Sequence, residues 1–118
     1  MNTQKLAKLF GIVLLLVGIL GFVPGITTDG HLLGVFEVNT LHSIIHLLTG
    51  IVGILAAASL GNSKLFFKVF GVVYLIVTIL GFTQGGNVLG LFMANMADNL
   101  LHVVITAVAL WAGFINKQ

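Results

Sequence analysis

Cysteine and arginine are both missing from the 118 residues, proline occurs once, and only 7% of the chain is charged. Without cysteine there are no disulfides, no CxxCH haem attachment, no iron–sulfur cluster and no thiol catalysis. The scarcity of charge excludes more. A soluble domain carries about 25% charged residues, so this chain cannot cover a surface that faces water. With 58% hydrophobic residues and a mean hydropathy of +1.18, its solvent is a lipid bilayer. The net charge of +2 is small and scattered, which argues against a nucleic-acid partner.

What the chain does have is four apolar runs, about Leu6–Phe22, Leu41–Leu60, Leu65–Phe82 and Ala97–Ile115. Each approaches the roughly 20 residues that a helix needs to cross about 30 Å of hydrocarbon. No lysine interrupts their middles. Lys5 and Lys8 precede the first run, Lys64 and Lys68 flank the second junction, and Lys117 lies in the tail. Four crossings put these regions in one compartment, and the positive-inside rule makes it the cytoplasm. Asp29, His31 and Glu37 fall in the opposite loop. The expected location is a bacterial inner membrane, with both termini cytoplasmic. Lys5 and Lys8 before an apolar stretch also suit a signal peptide. However, KLAKLFGIVLLLVGILGF returns in mid-chain as KLFFKVFGVVYLIVTILGF, so the first copy is expected to be a retained helix.

That return is part of a wider duplication. Phe10-Gly11 matches Phe70-Gly71 at an offset of 60, and LLGVFEVN matches VLGLFMAN at an offset of 56, as does His46 with His102. Two spans per copy give parallel repeats, related by an axis along the membrane normal. The expected fold is an all-α membrane protein. It is a single transmembrane domain over residues 1–118, a four-helix bundle made of repeats at about 5–60 and 64–115. Both long loops carry the pattern leucine, glycine, apolar, phenylalanine, too short to cross and suited to lie at the interface or fold back over the mouth. Pro24-Gly25 and Gln84-Gly85-Gly86 end the first and third helices, and Asn39 and Asn95 cap the second and fourth.

The segments LLGVFEVNTLHSIIHLLTG and LGLFMANMADNLLHVV resemble an uncharacterised bacterial family of small four-helix integral membrane proteins, known as a domain of unknown function. The resemblance covers nearly the whole chain and implies fold and location. It implies no activity.

The residues themselves say more about a site. Positions four apart share a helix face. One face of the second helix reads His42, His46, Gly50, Gly53, Ala57, and the equivalent face of the fourth reads Asp98, His102, Thr106, Ala109, Gly113. Small residues let membrane helices approach closely. These two helices are therefore expected to meet across the axis, gathering His42, His46, Asp98 and His102 at the outer mouth. Three readings follow. The cluster is structural, with Asp98 completing a capping box three residues after Asn95. Or it is a site for a divalent metal such as zinc, with three imidazoles and a carboxylate as ligands. Or His46 and His102 hold haem b.

Glu37 reads as a solvated loop acid, with an extra ligand or a proton acceptor as the alternative, Tyr74 as a hydrogen-bond donor inside the bundle, and Trp111 as an interfacial anchor. Gly11, Gly18 and Gly71 read as helix contacts. Ser43 beside His42 makes no hydrolase, because adjacent positions diverge on a helix. The function expected first is a structural or accessory bundle in the bilayer, as a homo-oligomer or within a larger membrane complex. A metal- or haem-binding protein for redox or metal handling comes next, then a small oligomeric transporter. The mid-span positions hold few polar groups beyond Thr49, Tyr74, Thr78 and Thr106, which argues against a pore. An enzyme has least support.

Overall fold

Apolar runs with small residues at helical spacing dictate what forms. A computed structural model describes residues 2–117, and among them four helices dominate: α1 (Thr3–Leu20), α2 (Thr40–Ala56), α3 (Leu60–Thr83) and α4 (Met96–Leu110). A π-helical turn at Trp111–Ile115 extends α4. Three helices, counting α4 with its extension, are long and apolar enough to cross a membrane, whereas α2 is apolar but has 17 residues. Less than half of each long span is buried, and the outward faces carry leucine, isoleucine and valine, as at Leu16, Leu48, Ile76 and Val104. Such faces suit hydrocarbon and not water.

The helix starts follow their capping residues. Asn2, Ser59 and Asn39 accept from the amides of Lys5, Asn62 and His42 through their side chains. Asn95 does the same for the Asp98 amide, and the Asp98 carboxylate accepts back from the Asn95 amide. This capping box is the one expected from the sequence. It satisfies two amides that would otherwise lack partners in a dry environment.

The all-α expectation needs correcting at one end. The long connections fold as small antiparallel sheets: β1 (Thr27–Thr28), β2 (His31–Leu32) and β3 (Phe36–Glu37) in one, β4 (Asn87–Val88) and β5 (Phe92–Met93) in the other. Two-residue strands give no alternating pattern to read. Their turns put Leu33-Gly34 and Leu89-Gly90 in the left-handed region, as tight hairpins of the I′ type require. A leucine there is strained, and it occurs at the first turn position of the β2–β3 and β4–β5 hairpins, while Asp29-Gly30 turns the chain between β1 and β2. Leu32, Val38, Val88 and Phe92 point inward and close this end of the bundle.

Helix pairing also differs from expectation. The close partners are α1 with α2 and α3 with α4, and α2 does not pack intimately on α4. A Cβ on Gly11 would stand 2.6 Å from the Gly50 carbonyl oxygen, and one on Gly18 would stand 2.8 Å from the Leu47 amide. Gly71 meets Leu110, and Gly113 meets the Lys68 amide at 2.7 Å. The small residues do serve close approach, but Gly50 faces α1 and Gly113 faces α3. The reason is that α1 and α3 bring glycines of their own, so the flattest surfaces mesh within each hairpin of helices.

The interior is layered. Phe66, Phe67, Ala7, Ala109 and Ala112 pack at the end where the chain begins and ends, with Phe10 edge-on to Phe66 and Phe67. The Asn116 side chain donates to the Thr3 hydroxyl there. Leu14, Tyr74 and Ile105 fill the middle. Histidines come next, under the sheets.

Candidate functional site

Beneath the sheets, the first turns of α2 bring His42 and His46 to the inner face, four residues apart. The second turn of α4 brings His102 opposite them. All three are buried. The ring centroids of His42 and His46 are 4.4 Å apart, and those of His42 and His102 are 5.8 Å apart. One ring nitrogen from each lies within 4.8 Å of the other two.

These rings lack the hydrogen bonds that buried imidazoles usually make. Both nitrogens of His42 and the Nδ1 atoms of His46 and His102 are buried with no partner among the described residues. The Glu37 backbone carbonyl stands beside His42, but not in hydrogen-bonding geometry. An unpaired buried polar group costs about 1–3 kcal/mol, so several in one place make this layer a costly one for the fold. The Phe92 ring lies flat on His42, with centroids 4.1 Å apart and planes 13° from parallel, and fixes its orientation.

Asp98 is close by but engaged differently. Its Oδ2 accepts from the Asn95 amide at 3.0 Å and from the Glu37 amide at 3.1 Å, joining β3 to the start of α4. It lines a cavity of about 110 Å³ with His46 and His102, outside the close-set trio. Glu37 enters through its backbone and is half-buried. His31 lies outside the trio, with Nδ1 at 2.9 Å from the Asp29 carbonyl.

Tyr74 lies one layer below, its ring centroid 5.9 Å from that of His102. It is buried as expected, but its hydroxyl makes no hydrogen bond of good geometry among the described residues, although the Thr49 side chain stands beside it. Thr49 donates instead to the Ile45 carbonyl, and Thr78 to the Tyr74 carbonyl while meeting the Thr106 hydroxyl at 3.2 Å.

Two contributors escaped the sequence reading. Phe92 belongs to the leucine–glycine–apolar–phenylalanine pattern, whose recurrence was visible while its stacking on a histidine was not. Asn99 is buried on α4 and donates to the Gly81 carbonyl, with Oδ1 unpartnered.

Fold and site together define a mostly helical protein whose apolar helices suit a bilayer and whose interior holds three converging histidines. Residues 4–115 match the family described as Domain of unknown function (DUF4383), and the chain belongs to that family. No curated protein and no solved structure matches it.

Proposed function

We propose that the protein is a four-span membrane bundle that holds a first-row divalent ion such as zinc on His42, His46 and His102. The observation that carries this reading is the trio itself, three buried rings with ligand atoms within 4.8 Å of one another and nitrogens left unpaired. A tetrahedral ion about 2.0–2.1 Å from each nitrogen would draw them to roughly 3.3 Å apart, a closure within reach of small ring rotations. Three neutral imidazoles suit zinc and its neighbours, and leave a fourth position open. Asp98, across the small cavity, supplies negative charge near the ion without being one of the close-set ligands. Haem between His46 and His102 fits less well, because a porphyrin plane there would meet the His42 ring.

The setting follows from the same observations. A 17-residue helix is about 26 Å long, slightly under the hydrocarbon thickness. The exposed Leu48, Ile51 and Leu55 support α2 as a fourth crossing. Thr3 and Asn116 meet at the end that carries the lysines, which supports an even number of crossings with both termini in the cytoplasm. The histidines then lie toward the outer face of a bacterial inner membrane. Reciprocal bonds, Asn39 to the Leu91 carbonyl and Asn95 to the Val35 carbonyl, support two parallel repeats in a single domain.

Elemental analysis of the untagged, purified protein tests the metal. One divalent ion per chain is expected, lost in His46→Ala and His102→Ala and kept in His31→Ala. A protein that takes up no ion, or one whose uptake ignores these substitutions, would overturn the reading and leave a purely structural bundle.

A further inference from the structure

We infer that the open side of the histidine site receives a small neutral ring molecule bearing a hydroxyl group, a phenol in chemical class, which enters from the bilayer between α2 and α3. The inference rests on the metal reading above.

Tight pairing within α1/α2 and α3/α4 leaves two looser seams, and each seam holds a cavity that reaches the histidines. Between α1 and α4 it is about 230 Å³, and its one polar lining residue is His46. Between α2 and α3 it is about 190 Å³, and its wall gathers His42, His46, His102, Tyr74 and Thr49. Only the second combines the whole trio with a buried hydroxyl that lacks an acceptor. That hydroxyl and an ion with an open position both call for an oxygen atom.

The remaining wall defines the rest of the occupant. No carboxylate or lysine lines the cavity, so a charged molecule would meet no counter-charge. Phe70, Phe92 and Tyr74 offer aromatic surface, which favours a ring packed edge-on or offset. A dry cavity of ~150 Å³ takes benzene, so this one takes a ring with a small substituent. Val73, on α3, lines the cavity and is also exposed on the apolar outward face of that helix, which puts the entrance in the bilayer. In the bound arrangement the phenol's hydroxyl oxygen faces the ion and accepts from the Tyr74 hydroxyl, while the ring and its other substituent fill the seam.

The test uses the full chain in phospholipid nanodiscs, loaded with cobalt(II), whose visible bands report its coordination. Titration with 4-propylphenol is expected to change those bands saturably, and propylbenzene, which lacks the oxygen, is expected to leave them unchanged. Tyr74→Phe should weaken the phenol response by roughly tenfold, the worth of one buried hydrogen bond. Val73→Trp should abolish it by filling the α2/α3 seam, and Val13→Trp in the other seam should retain it. Failure to form cobalt bands overturns the metal reading and this inference with it. Intact bands that ignore the phenol, or that respond equally to propylbenzene, overturn this inference alone. An equal phenol response in Val73→Trp refutes the entrance.

Discussion

Replacing Gly50 with alanine adds one methyl group at the closest approach of α1 and α2. The new carbon would lie 2.5 Å from the Leu15 amide nitrogen, 2.7 Å from the Gly11 carbonyl oxygen and 2.9 Å from the Leu15 Cα. Ordinary carbon contacts lie at about 3.5–4.0 Å. All three neighbours are backbone, so no side chain can swing aside, and α1 as a whole must retreat by about 1 Å. Overpacking of this kind costs about 1–3 kcal/mol. Alanine recovers up to about 1 kcal/mol because it is the better helix former. With that recovery a net loss of up to about 2 kcal/mol remains, and about 1–2 kcal/mol shifts the folded-to-unfolded ratio by roughly 5–30-fold. Gly61→Ala is the matched control, since nothing lies within 4 Å of its added carbon, and it should be neutral or slightly stabilising. Reversible unfolding in bicelles by sodium dodecyl sulfate titration measures both. Gly11→Ala adds a second methyl at the same crossing. The double variant should therefore cost less than the sum of the singles, because α1 has already moved. If Gly50→Ala proves as stable as Gly61→Ala, or if the two crossing variants add fully, the described α1/α2 contact is wrong.

Asp98→Ala should destabilise by about 1.5–3 kcal/mol, because it removes the oxygen that accepts two backbone hydrogen bonds and leaves the Glu37 and Asn95 amides without their acceptor; thermal unfolding in detergent checks this, and a loss under 0.5 kcal/mol would contradict it. Phe92→Ala should cost roughly 3 kcal/mol and also lower zinc affinity, since the ring both packs the sheet end and holds His42 flat; stability falling with affinity untouched would deny the second role. Reporter fusions at Thr28 and at the two chain ends should read outside for Thr28 and inside for both ends; an outside signal at Gln118 would rule out four crossings.

Much of the architecture was legible because the bilayer simplifies the code. The four apolar runs correspond to the four helices within a few residues at most ends. The caps at Asn39 and Asn95, and the box closed by Asp98, follow from side-chain chemistry alone. Inward placement of His42 and His46 needs only the helical repeat of their spacing. Which helix a glycine meets was not legible. Gly50 reads the same whether it faces α1 or α4, and the choice depended on Gly11 and Gly18 presenting an equally flat surface. The short strands were hidden for a different reason. They are set by left-handed turns at Leu33 and Leu89, residues that ordinarily avoid that conformation. Asp98 carries the same lesson at the site, since its spacing from His102 aligns the two but cannot reveal that the Glu37 backbone amide, from another segment, engages the carboxylate.

X-ray absorption at the zinc edge of the zinc-loaded, untagged protein addresses the histidine trio most directly. Three nitrogen scatterers at about 2.0–2.1 Å, with the outer-shell pattern of imidazole, are expected, falling in number when His42, His46 or His102 is replaced by alanine. A shell made only of oxygen, or one that none of the three substitutions changes, would contradict a metal held by these residues.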